Sequence, residues 1–402
     1  MTNVPAGGRA ALAKHPVRRR SPGPAPALAA ALALAAVAMR PGGVRGAEGL
    51  EVLEPVDCQV VQRADGDAAD VRVRGRLAAA AAGTAFEVAL GESPRAWLPI
   101  ARVEAGFDGR IRVPAGGWHR LRVRAVRDGG VVAETAVDRV GVGEIFVVAG
   151  QSNAANHGET KQRPASDRVV AFDGARWRVA DDPQPGASGG GGSFLPAFGD
   201  AIVAAFDVPV GFVACGIGAT SVREWLPAGT TFPHPPTIEQ RVRRTPDGGW
   251  ASDGRAFDAL VARMRPFGVR GFRAVLWHQG ESDANQRDPS RTLPGALYRD
   301  HLGRIIAASR AEIGWDAPWF VAMATYHVPG DEAWPDIREA QAAVARDGLA
   351  FAGPDTDALK GPLRERGGTG VHFSDAGLRA HGAAWADAVV PWIRAGGPPA
   401  AR

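Results

Sequence analysis

Two rhythms divide the chain. From about Glu48 to Asp138 apolar and polar residues alternate, as in DVRVRGRL (Asp70 to Leu77), RIRVPA (Arg110 to Ala115) and LRVRAV (Leu121 to Val126). Turns such as Phe107-Asp108-Gly109 and Asp128-Gly129-Gly130 separate these runs. A period of two puts one face of a strand on a core and the other in water, so this stretch predicts a small all-β sandwich. After Val140 the rhythm becomes strand, loop, helix. Unbroken apolar runs end at Gly150, Gly216, His278 and Tyr326, each too short for a helix. Stripes at helical spacing follow them: Phe194 to Phe206; Tyr298, Leu302, Ile305, Ile306, Ser309 and Ile313; Pro335 to Asp347; and Leu378, His381, Trp385, Val389 and Trp392 after a Ser374 cap. Strands alternating with helices predict an α/β/α domain with a parallel sheet covered on both faces. The tract SGGGGS, Ser188 to Ser193, reads as a flexible loop.

The first 46 residues follow neither rhythm. Arg18, Arg19 and Arg20 precede an Ala/Leu run from Ala27 to Met39 and a small-residue stretch near Gly46, the layout of a secretory signal. The expected organisation is therefore a signal over 1–46, a β-sandwich over 47–140, an α/β/α domain over 141–395 and a disordered tail over 396–402. Export to the periplasm or medium follows, with no stable membrane insertion once the signal is gone. A single anchor is the alternative, but so short an Ala-rich run would span a bilayer poorly.

Charge then excludes one class. The leading segment carries seven Lys/Arg and no Asp or Glu, so removing it takes the formal charge from +4 to −3. A mildly acidic mature chain gives no electrostatic case for binding nucleic acid. Two cysteines, Cys58 and Cys215, cannot build a disulfide framework. They are expected as thiols, with one bridge between the two regions as the alternative.

Candidate chemistry sits at the strand ends. GEIFVVAGQSN, Gly143 to Asn153, is a buried strand ending on a glycine turn that carries Ser152. Ligands bind at that edge of an open α/β sheet, and a serine there has the exposure a nucleophile needs. His372, in a loop before the last helix, suits a general base better than His381, which lies on an apolar stripe. Gly218 and Ala219 offer backbone N–H groups, and Gln279 a side-chain amide, for a developing oxyanion. Asn153, Asn156, Arg223, Trp225, Trp277 and His278 are candidates for lining a substrate site. No spacing suggests a metal-ligand cluster.

The blocks AGQSN, GATSVREW, WHQGESD and GVHFSDAG, in this order between Gly141 and Ile393, resemble those of the SGNH/GDSL hydrolase superfamily. Their nearest likeness is to the sialate O-acetylesterase (SASA) branch. The resemblance implies an SGNH-type fold that removes acetyl groups from an acetylated carbohydrate without metal or cofactor. It implies Ser152 as nucleophile, His372 as base, and an oxyanion hole from Ser152, Gly218 or Ala219, and Gln279 where most relatives use Asn. One departure stands out: three residues before His372, where many relatives carry the triad Asp, this chain has Thr369. Glu281 is the acid expected to reach His372 Nδ1 instead, with Asp375, Asp355 and Asp357 as alternatives. An esterase for another acyl group, or a carbohydrate-binding protein on an inactive hydrolase fold, are the competing readings.

Overall fold

The computed structural model describes residues 44–397 apart from 46–48, 65–67, 79–81 and 105. Most of the expected signal and the end of the expected tail lie outside the described residues. Val44–Arg45, inside the segment expected to be a signal, pairs antiparallel with Leu50–Glu54.

The path of the chain is set by one strand, Gly130–Gly150. Its first half pairs antiparallel with Gly116–Arg127 in the all-β part, and Val140–Gly143 also run parallel to Gln59–Gln62. Its second half, Glu144 to Gly150, lies between Val210–Ala214 and Ala274–His278, parallel to both. The expected boundary at 140/141 therefore falls inside a strand. Gly143 makes the crossing possible, because a Cβ there would stand 1.9 Å from the Pro209 carbonyl oxygen. Glu144, fully buried beside it, accepts hydrogen bonds from Gln62 Nε2 (2.8 Å), Arg63 Nε (2.6 Å) and Arg273 Nε (2.6 Å). A carboxylate taken out of water needs such partners, and here they come from both sides of the crossing.

Before the crossing, two sheets share one apolar cluster that includes Val71, Val73, Phe86, Phe107, Leu121, Val123 and Val137. After it, seven strands run in the order Trp177–Val179, Val169–Phe172, Val210–Ala214, Gly130–Gly150, Ala274–His278, Trp319–Met323, Phe351–Asp355. Only the edge strand Trp177–Val179 is antiparallel to its neighbour. Alternate residues of the central strand feed the two faces. Ile145, Val147 and Ala149 join the cluster that holds residues of Arg255–Met264, Gly295–Ile313 and Pro335–Arg346. Phe146 and Val148 join the cluster of Leu195–Phe206 and Asp375–Arg394. This is the mixed α/β architecture expected, with helices on both faces of the sheet.

One local expectation changes and one holds. The glycine tract is tied down: Gly189 bridges to Asn156 and Gly192 to Gly158, so small residues serve close backbone approach rather than slack. Cys58 and Cys215 are both buried thiols, each pushed up to about 11 by burial.

Candidate active site

The carboxyl ends of the central strands open into a cavity of about 710 Å³ lined by Ser152, His157, Ser188, Ala219, Glu281 and His372, among others. A larger cavity of about 790 Å³ lies between the all-β part and the loop Pro266 to Gly271, but it gathers no nucleophile with a base. The smaller one is therefore the candidate site.

Ser152 opens a single 3-10 turn directly after the central strand and is 6% exposed. Gln151 before it is anchored by its own N–H to the His278 carbonyl at 2.9 Å. The nucleophile candidate is thus pinned to the neighbouring strand's tip.

His372 is half-buried on the cavity wall, and its Nδ1 lies 3.0 Å from Oε1 of Glu365. Glu281 does not occupy this position, and neither do the three alternatives. Asp375 accepts from Gln162 and Arg379 in the first turn of the last helix. Asp355 pairs with Arg338, and Asp357 with Arg338 and the Thr325 hydroxyl. Thr369 is exposed, its hydroxyl bonded to the Arg366 carbonyl at 3.0 Å. Glu365 reaches His372 because the intervening segment doubles back. Arg366, Gly367 and Gly368 all have positive φ (54°, 67° and 100°), and the Glu365 N–H donates to the His372 carbonyl at 2.9 Å. Gly370 completes the turn, since a Cβ there would stand 2.2 Å from Glu365 Cγ. The GGTG run before His372 was the available signal that a carboxylate further upstream comes within reach.

Glu281 has another set of partners. Its Oε1 accepts from Asn153 Nδ2 (2.9 Å) and meets His278 Nε2 (3.2 Å), while Oε2 has no partner among the described residues. Burial pushes this carboxyl up, but the His278 charge and the two hydrogen bonds outweigh it, leaving the group below its ordinary range. The protons of the chain behind it can be followed. Trp385 Nε1 can only donate, so His381 Nε2, 3.0 Å away, must be an acceptor. His278 Nδ1, 3.1 Å from the same nitrogen, then carries a proton. The fully buried His381 is pushed well below its usual range by burial, reinforced by the charges of His278 and Arg364. It stays neutral, as its place on an apolar stripe suggested.

Several expected lining residues are core or scaffold instead. Trp277 and Trp225 are fully buried, their rings edge-to-face at 5.3 Å. Arg223 is fully buried, bonded to the Ser221 hydroxyl, Asp283 and the carbonyls of His234, Pro235 and Arg291. Asn153 faces Glu281, His278 faces His381, and Asn156 bonds the Gln184 and Ala187 carbonyls. Gln279 is also displaced from its expected role: its fully buried Nε2 faces Gln151 Oε1 (3.2 Å), the Thr220 carbonyl (3.1 Å) and Asp283 Oδ2 (2.7 Å). An amide with two protons and three acceptors has none to spare.

Of the backbone donors, Gly218 N–H is bonded to the Ser188 hydroxyl at 2.7 Å. Ala219 has φ 58°, in the left-handed region where a non-glycine residue is uncommon, and its N–H takes no acceptor among the described residues. His157, passed over as a loop residue in the sequence, stacks on His372 with ring centroids 5.4 Å apart and meets the Ser188 hydroxyl at 3.1 Å. Burial, then the neighbouring His372 charge, hold it below its usual range. Among the described residues no three His, Cys, Asp or Glu side chains gather as a metal site requires.

Comparison with known proteins bears on the family and the fold. No curated protein matches the chain in sequence. A solved carbohydrate acetylesterase from Xanthomonas citri is 20% identical, aligned over 85% of this chain and 74% of its own, with a TM-score of 0.50. That likeness concerns the fold. A protein from Arabidopsis thaliana (20% identical, 62% of this chain and 98% of that one, TM-score 0.43) and NanS (17%, 63% and 98%, 0.42) are looser matches. The family model described as carbohydrate esterase, sialic acid-specific acetylesterase matches residues 142–391, which is more than half of the chain. The chain therefore belongs to this SASA family of carbohydrate esterases, and with it to the carboxylic ester hydrolases.

Proposed function

We propose that this protein removes O-acetyl groups from carbohydrate hydroxyls through Ser152, His372 and Glu365. The observation that carries the reading is the 3.0 Å contact between His372 Nδ1 and Glu365 Oε1 on the wall of the cavity that contains Ser152. Glu365 holds the imidazole with Nδ1 protonated, which leaves Nε2 to take a proton. Ser152 Oγ attacks the acetyl carbonyl carbon as its proton passes to His372 Nε2. The sugar oxygen leaves with that proton, and the acetyl group remains on Ser152. Water, deprotonated by the same nitrogen, attacks the acyl-enzyme and releases acetate. Main-chain N–H groups of Ser152 and Ala219 face the carbonyl oxygen as it gains charge.

Glu365 also bears on the competing reading of an inactive binding protein. That reading rested on the missing acid at Thr369, and a carboxylate on His372 removes its motive. The all-β part, read as a small sandwich domain, contributes none of its described residues to the cavity lining. Export is part of the proposal and rests on Arg18 to Arg20 and the Ala27 to Met39 run. Acetate release from acetylated sialic acids and acetylxylan tests the substrate class. Ser152→Ala should abolish that release with an unchanged melting midpoint, and turnover near wild type would refute the serine mechanism.

A further inference from the structure

We propose that Gln151, rather than Gln279, supplies the side-chain donor of the oxyanion hole. The inference rests on the reading of Ser152 as nucleophile and adds a residue to its machinery.

The orientation of the Gln151 amide is fixed by its partners. Oε1 accepts from Ser282 N–H (3.1 Å), Gly280 N–H (3.4 Å) and Gln279 Nε2 (3.2 Å). Two of these are main-chain N–H groups, which can only donate, so the atom facing them is the oxygen. The NH2 group must then point the other way. It takes no acceptor among the described residues, although Gln151 is only 3% exposed. Nor is the residue sealed in the interior, for Gln151 lines the cavity beside Ser152 and Ala219. An amide donor in this state has lost most of its water without gaining a protein partner. An acyl oxygen bound over Ser152 would supply one, and the bond would strengthen as that oxygen becomes an oxyanion.

The same geometry gives Gln279 its work. It sits where the expected oxyanion amide should be, but its protons face Gln151, Thr220 and Asp283. Gln279 is a positioning residue acting through Gln151. Three donors clamping one carbonyl oxygen hold the adjacent NH2 in place before substrate arrives, which is what an oxyanion donor requires.

The test uses the full chain and its Gln151→Met and Gln151→Glu variants, which keep the side chain's length and remove the donor. With p-nitrophenyl acetate, loss of one oxyanion donor should lower kcat by about 10²–10³-fold while KM changes by less than about threefold. Inactivation by diethyl p-nitrophenyl phosphate, whose phosphoryl oxygen occupies the same hole, should slow comparably. A kcat within about threefold of wild type, or a raised KM with kcat intact, overturns the assignment. Should both variants fail to fold, the wild-type protein still decides. Phosphorylation of Ser152 should move the Gln151 side-chain amide proton resonances downfield, and unmoved resonances refute the contact. If the reagent does not label Ser152 in the wild type, the serine reading falls and this inference with it. If it labels Ser152 while the variants react at the wild-type rate, only the Gln151 assignment falls.

Discussion

Replacing Glu365 by Gln isolates what a charge contributes to His372. The side chains are nearly isosteric, and the Gln oxygen can still accept from Nδ1, so geometry is kept while the carboxylate is lost. During attack His372 becomes a cation 3.0 Å from Glu365 Oε1. Unit charges at that distance interact by about 5.5 kcal/mol at an effective dielectric of ~20. Both side chains keep some solvent contact, 22% and 12% exposed, so about half that figure is the better guide. Roughly 3 kcal/mol on the barrier corresponds to about a hundredfold loss in kcat/KM. Initial rates on p-nitrophenyl acetate over a range of concentrations measure it. Glu281→Gln, run alongside, should lose at least tenfold less activity, because that carboxylate meets His278 and Asn153 rather than His372. A loss below about threefold for Glu365→Gln refutes the reasoning, and a hundredfold loss confined to Glu281→Gln would return the acid to Glu281.

Three other outcomes are expected. Gly370→Ala should cost activity comparable to Glu365→Gln, since the new Cβ would stand 2.2 Å from Glu365 Cγ and push the carboxylate off His372; unaltered kcat/KM would show the turn absorbing it. Thr369→Val should leave activity within about twofold, a near-neutral surface change, because its hydroxyl bonds only the Arg366 carbonyl; a tenfold loss would implicate it in the site. Stability should fall on acidification: His381 and His157 are held below the 6.5 they approach when unfolded, so the folded chain binds fewer protons there. The stability they contribute is present above pH ~6.5 and lost below it, and melting midpoints between pH ~7.5 and ~5 should show this, with a shallower fall in His381→Gln. Equal slopes for the two proteins would remove His381 from the effect.

What the sequence could reveal depended on how local each feature was. The central strand was legible because β-branched and aromatic residues leave a short apolar run few alternatives, and the Gly150 turn followed directly. That Ser152 and His372 stand in loops on one cavity was legible for the same reason, each placed by its immediate neighbours. Trp277 was misread because a strand tip does not announce which face its side chains serve. It alternates with Leu276 between the two apolar clusters and falls on the Trp225 side. Arg223 was misread because its partner Asp283 is sixty residues away and the pair is wholly buried. The contact of Glu365 with His372 was not legible because it depends on three successive positive-φ residues, the first of them Arg366, where no glycine signals the turn. Gln279 occupied the expected place with the wrong reach, and only its three acceptors reveal where its amide is spent.

The strand Gly130–Gly150 has a mechanical consequence. One end is hydrogen-bonded into the all-β part, the other stops one residue short of Gln151, and the Glu144 clasp grips its middle from both flanks. The pairing shifts register between Val137 and Val140 and again between Gly141 and Val142, yet it continues on both sides of these shifts. A displacement of the all-β part is therefore passed along one backbone to the turn that bears Ser152. For anyone trimming the protein, a cut at 140/141 would divide that strand, so the shortest version that keeps it whole must begin ahead of Gly130.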